Sequence, residues 1–131
     1  MDKQKLIVAD SDVALVELLA RHFRARGYEV TTAYDAITVL KLVHLQTPDA
    51  VCLGIDMRCN NGICVCELLS SERRFSYLPA VLITSSHEDR FNHDCHGLCA
   101  TYVTKGEGLA RRVETALAQI ESHEQQVYAA T

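Results

Sequence analysis

Six cysteines and six histidines stand in this chain of 131 residues, and their tightest grouping is His93, Cys95, His96 and Cys99. Imidazole and thiolate groups are the ligands of zinc sites. On a helix, Cys95 and Cys99 would share a face, with His96 three residues before Cys99. A tetrahedral centre needs four ligands, however, and no second well-spaced pair such as C-x-x-C accompanies the cluster. Cys52, Cys59, Cys64 and Cys66 suit reduced thiols that pack as small hydrophobes. A metal or redox sensor built on Cys95, His96 and Cys99 stays open as one reading. The other polar residues of chemical interest stand where short apolar runs end. They are Asp10, Ser11 and Asp12, then Gly54 to Asp56, then Thr84, and finally Lys105.

The elements that position them follow from the apolar pattern. Residues 6–9 form a compact apolar run closed by Asp10-Ser11-Asp12, which reads as a buried strand and a loop. Asp12 can cap a helix on which Val13, Val16, Leu19, Ala20 and Phe23 recur at helical spacing, and Gly27 ends it. Residues 28–32 are rich in strand formers. Asp35 opens a second helix through Ile37, Leu40, Val43 and His44, stopped by Pro48. Residues 50–53 make a third buried run, Asn60-Asn61-Gly62 a loop, and Val65, Leu68 and Leu69 a third helix. Residues 80–84 are the most strand-like of the chain. Residues 86–98 are polar and weakly amphipathic, which predicts a fourth helix. Residues 102–104 give a short fifth strand, and Leu109, Val113, Ala116, Leu117 and Ile120 a final helix whose polar tail frays or continues it.

Five strand–helix units in strict alternation predict an α/β fold, a doubly wound sandwich with a five-stranded parallel sheet and helices on both faces. Functional pockets of such folds lie outside the carboxyl ends of the strands. The polar residues named above are those ends. Length and composition fit a single domain over 1–131, with a core from about residue 5 to 121. Apolar residues make up 48% and charged residues 23%, which excludes a disordered charged tail. The net charge of −4 disfavours nonspecific binding to DNA or to an anionic membrane. No basic helix or helix-turn-helix signal points to nucleic acid. With no signal peptide and no membrane-length apolar run, a cytoplasmic protein is expected.

Leu-Ile-Val-Ala-Asp10, Pro48-Asp49-Ala50-Val51, Asn61-Gly62, Leu82-Ile83-Thr84 and Tyr102-Val-Thr-Lys105, in this order and spacing, resemble the receiver domain of two-component response regulators. The resemblance covers nearly the whole chain. It implies a CheY-like flavodoxin fold with strand order 2-1-3-4-5. It also implies an acidic cluster that binds Mg²⁺ and an aspartate, at the end of the third strand, that takes a phosphoryl group from a histidine kinase. A cation and fixed donors around the equatorial oxygens suit that chemistry.

Against that pattern the chain keeps Asp10, Thr84 and Lys105, while the second acidic position reads Ser11 and the phosphoacceptor position reads Gly54. Glycine has no side chain to phosphorylate. Asp56, two residues on, would point to the same side only if the strand continued; Asp12 is more simply a helix cap. The proline that usually follows the strand-5 lysine is Gly106, so a trans bond and a rearranged loop are expected. Arg58 replaces another proline and either pairs with Asp56 or is solvated. Lys105 should turn to Asp10 or Asp56, or extend into water. A pair with Asp10 would occupy the metal's space.

Thr84 and Tyr102 match the family's switch pair, in which the aromatic ring turns inward on phosphorylation. The expectation is thus a degenerate pocket of Asp10, Ser11, Gly54, Asp56, Thr84 and Lys105, with no catalytic residue. No cofactor is expected beyond weak residual Mg²⁺ at Asp10 and Asp56. The domain is expected to act independently of phosphorylation, as a protein-interaction or dimerisation module without enzymatic activity. The face made by the fourth helix, fifth strand and last helix would bind a signalling partner or a second copy. The rival readings are a working receiver phosphorylated at Asp56 and the Cys/His sensor. An output domain after Thr131 is compatible with all three.

Overall fold

A computed structural model of the chain describes residues 3–57, 62–85 and 99–129, with the backbone alone for 99–100 and 121–129. The apolar runs become β1 (Lys5–Ala9), β2 (Glu29–Ala33), β3 (Ala50–Gly54), β4 (Pro79–Thr84) and β5 (Cys99–Thr104). The amphipathic stretches become α1 (Val13–Ala25), α2 (Ala36–Gln46), α3 (Gly62–Ser70) and α4 (Leu109–Ala129), with a short 3₁₀ turn at Arg73–Phe75. All strand pairings are parallel, in the order β2-β1-β3-β4-β5. This is the predicted architecture and strand order.

Because side chains alternate across a strand, the sheet sorts its residues onto two cores. Leu6 and Val8 join Val16, Leu19, Phe23, Val113 and Leu117 beneath α1 and α4. Ile7 and Ala9 join Val39, Val43, Val65 and Leu69 beneath α2 and α3. β3 and β4, both inner strands of the sheet, are buried at every position, as expected of a parallel sheet covered on both faces. Two aspartates start helices as expected: Asp12 accepts from the Leu15 amide at 3.2 Å and Asp35 from the Thr38 amide at 2.8 Å. Gly27, just past the cap of α1, has φ +94°, which favours glycine. On the outer strand β2, the Arg24 guanidinium donates to the Val30 carbonyl at 3.0 Å.

Several expectations need correction. Val13, Ile37 and Leu68, counted among apolar helix positions, are exposed (51–52%); each sits at the rim of its stripe, where the sheet no longer covers it. β5 begins at Cys99, three residues earlier than expected, because its register with β4 runs back to Pro79. Cys99 is therefore a strand residue, and the helical pairing of Cys95 with Cys99 does not form. The fourth predicted helix, with His93, Cys95 and His96, lies outside the described residues, as do Arg58, Cys59, Asn60 and Asn61.

Candidate functional site

Asp10, Gly54, Thr84 and Lys105 converge at the carboxyl ends of β1, β3, β4 and β5. Asp10 follows β1 directly and is fully buried. Its Oδ1 accepts from the Asp12 amide at 2.9 Å, and its Oδ2 lies 3.3 Å from the Lys105 ammonium. Oδ2 has no hydrogen-bond donor among the described residues, so a cation facing it is what offsets burial of the charge. Lys105 arrives there because its amide prolongs the sheet, donating to the Thr84 carbonyl at 2.8 Å. Of the three destinations open to this lysine, the structure has Asp10.

Gly54 ends β3 opposite Ile83. A Cβ at this position would overlap the Asp10 carboxylate, with Cγ at 2.7 Å. The Asp10 side chain thus lies in the space that any side chain at 54 would enter. Gly62, the first residue of α3, packs just as closely, since a Cβ there would meet the Gly54 carbonyl oxygen at 2.6 Å. Its amide donates to the Ile55 carbonyl at 3.1 Å. The missing side chain of Gly62 therefore lets the start of α3 rest directly on the backbone at the end of β3.

Ser11 and Asp56 are exposed at the rim. The Ser11 hydroxyl donates to the backbone carbonyl of Asp56 at 3.1 Å. Among the described residues, no group of three His, Cys, Asp or Glu side chains could hold a metal. A divalent cation prefers carboxylate oxygens with room for waters. Here the one buried carboxylate faces an ammonium, and the second acidic position is a hydroxyl turned to a carbonyl. The residues present do not fit the family's Mg²⁺ site.

Thr84 is buried at the end of β4, beside Thr104. Tyr102 is half-buried, packs against the core beneath α2 and α3, and has its hydroxyl oxygen buried. The loop after Lys105 departs from a proline-containing one, because Gly106 has φ +143°, outside the range a proline ring permits. No cis peptide bond occurs among the described residues. Arg112, on the first turns of α4, reaches back over this loop. Sequence reasoning missed it, since nothing in an arginine among surface charges marks its target. Of the thiols, Cys52 and Cys66 are buried, and burial pushes the Cys52 thiol up to about 12.

This geometry can be set beside known proteins. A family model described as the response regulator receiver domain matches residues 6–125. The chain belongs to that family. It is 35% identical over 81 residues to the response regulator PleD of Caulobacter vibrioides, covering 62% of this chain and 18% of PleD. With the DNA-binding response regulator MtrA of Mycobacterium tuberculosis it shares 31% identity over 83 residues, 63% of this chain and 35% of MtrA. The matched part thus spans only about a fifth to a third of these relatives. In structure, the chemotaxis response regulator CheY4 of Vibrio cholerae superposes with a TM-score of 0.82 at 15% identity, over 91% of this chain and 99% of that one. A response regulator of Chloroflexus aurantiacus gives 0.76 at 22% identity, over 89% and 99%. These structural likenesses establish the fold. Among the described residues, no helix of this receiver domain is long and apolar enough to cross a membrane.

Proposed function

We propose that this receiver domain signals without accepting a phosphoryl group, as a protein-interaction or dimerisation module with no enzymatic activity. The observation that carries the reading is at residue 54. The end of β3 offers no oxygen nucleophile, and the Asp10 carboxylate fills the space where one would project. Phosphoryl transfer in this family needs an attacking oxygen, a cation and aligned donors. The Asp10–Lys105 pair and the Ser11–Asp56 contact support the further reading that Mg²⁺ is not bound.

Tyr102 packs its ring against the core beneath α2 and α3, and Gly54 has no side chain that could carry a phosphoryl group to draw Thr84 toward it. A two-state element that has lost its ligand keeps whichever state its own contacts favour. The domain then presents one standing surface, and β5 with α4 is the face we assign to a signalling partner or a second copy.

The test is intact mass after incubation with a small-molecule phosphodonor and Mg²⁺. The unmodified mass is expected. One added phosphoryl group, lost in Asp56→Ala, would replace this reading with that of a working receiver using a substitute acceptor.

A further inference from the structure

The β5–α4 loop would be expected to move. It contains Gly106 at φ +143° and Gly108 at φ +72°, and glycine gives a backbone its widest freedom. Yet one side chain holds two carbonyls, one just before the loop and one within it. Arg112 Nη1 donates to the Thr104 carbonyl at 2.7 Å and reaches the Thr104 hydroxyl at 3.4 Å. Nη2 and Nε donate to the Glu107 carbonyl at 3.1 and 3.2 Å. Those two carbonyls bracket Lys105 and Gly106. The guanidinium sits over Gly106, whose absent Cβ would lie 3.8 Å from Nη2.

We infer that Arg112 is a positioning residue that fixes the β5–α4 loop and thereby keeps the Lys105 ammonium on Asp10. The planar fork matters more than the charge. It spans two carbonyls that a single ammonium cannot bracket together, and it stays protonated at every pH the protein meets. The backbone on one side of Lys105 is anchored by β4, through the Thr84 carbonyl. Arg112 supplies the anchor on the other side. With both ends fixed, the lysine stem starts from a set point and direction, and its ammonium reaches the buried Oδ2. Without the fork, the glycine-flanked turn is free to swing and the ammonium to enter water.

The inference deepens the proposed function, because it says what holds the pocket in one state. The experiment is side-chain NMR of the Lys105 ammonium in the full chain, as wild type, R112A and R112K, with R111A as the neighbouring control. Hydrogen exchange of the ammonium is expected to be slow in wild type and R111A. It should be about ten-fold faster in R112A, and R112K should recover little of the difference. The backbone amide spectrum of the strands is expected to stay unchanged in all four proteins. Slow exchange persisting in R112A, or full recovery in R112K, would overturn the role of the fork. A phosphoryl adduct in the mass experiment would refute the proposed function alone, since the response of Lys105 to loss of Arg112 is read without any phosphodonor.

Discussion

Gly54 and Lys105 carry the residue-scale consequences. Gly54→Ala inserts a methyl group against the fully buried Asp10 carboxylate, which must shift away from its place beside Lys105 to make room. Over-packing of this kind costs about 1–3 kcal/mol, and urea unfolding of the variant should show a loss in that range; an unchanged midpoint would mean that Asp10 is not held where it is described. Lys105→Met removes the cation and strands the carboxylate. The expected loss is about 2–3 kcal/mol, below the usual cost of breaking a buried pair because the lysine is partly solvated. Asp10→Asn with Lys105→Met should then cost less than the sum of the single changes, and additivity would argue against the pair. The sequence made Asp10, Gly54 and Lys105 legible through their order at strand ends. It could not choose among the three destinations of Lys105, because that choice depends on the burial of Asp10 and on the loop conformation set by Arg112, eight residues from Thr104.

At the scale of elements, the end of α2 is tied to the 3₁₀ turn by His44. Its Nδ1 faces the Leu40 carbonyl at 2.7 Å and its Nε2 faces both Glu72 carboxylate oxygens at 2.9 Å. Each of these partners only accepts, so it is the doubly protonated ring that donates to both. Arg74 donates to the His44 carbonyl at 3.1 Å, and the imidazole meets the Phe75 ring edge-on. The Leu40 carbonyl first, and Glu72 next, hold the His44 pKa above its ordinary value of 6.5, against smaller opposing effects of desolvation and of Arg74. The clasp therefore stabilises fully below that ordinary value and fades as pH rises through the raised one. Comparing wild type with His44→Gln by urea unfolding across a pH series should give a difference that shrinks toward alkaline pH; a constant difference would exclude the imidazolium. Helix starts were readable from Asp12 and Asp35, whose side chains cap locally. The early start of β5 was not, because strand length is set by the neighbour in register. The 3₁₀ turn was equally hidden, since three polar and aromatic residues carry no periodicity.

For the molecule as a whole, alternation of apolar runs with amphipathic stretches was enough to give the parallel sheet and its two helical layers, since each parallel pair demands a crossover. Which residues would sit at the rim was not legible, as Val13, Ile37 and Leu68 share the spacing of their buried neighbours. The burial of two thiols gives a test of global cooperativity. Cys52 and Cys66 should resist thiol-specific labelling at mildly alkaline pH until the domain unfolds, as resolved by peptide mass. Labelling of Cys52 as fast as that of half-buried Cys64 would show local opening of β3.

The Arg24 contact with Val30 bears on association. An outer strand offers free carbonyls and amides to any incoming extended chain. On β2 one of those carbonyls is already occupied by the Arg24 guanidinium. Sheet-to-sheet docking along this border is thereby obstructed, and fibril-like stacking of copies is discouraged there by the fold itself.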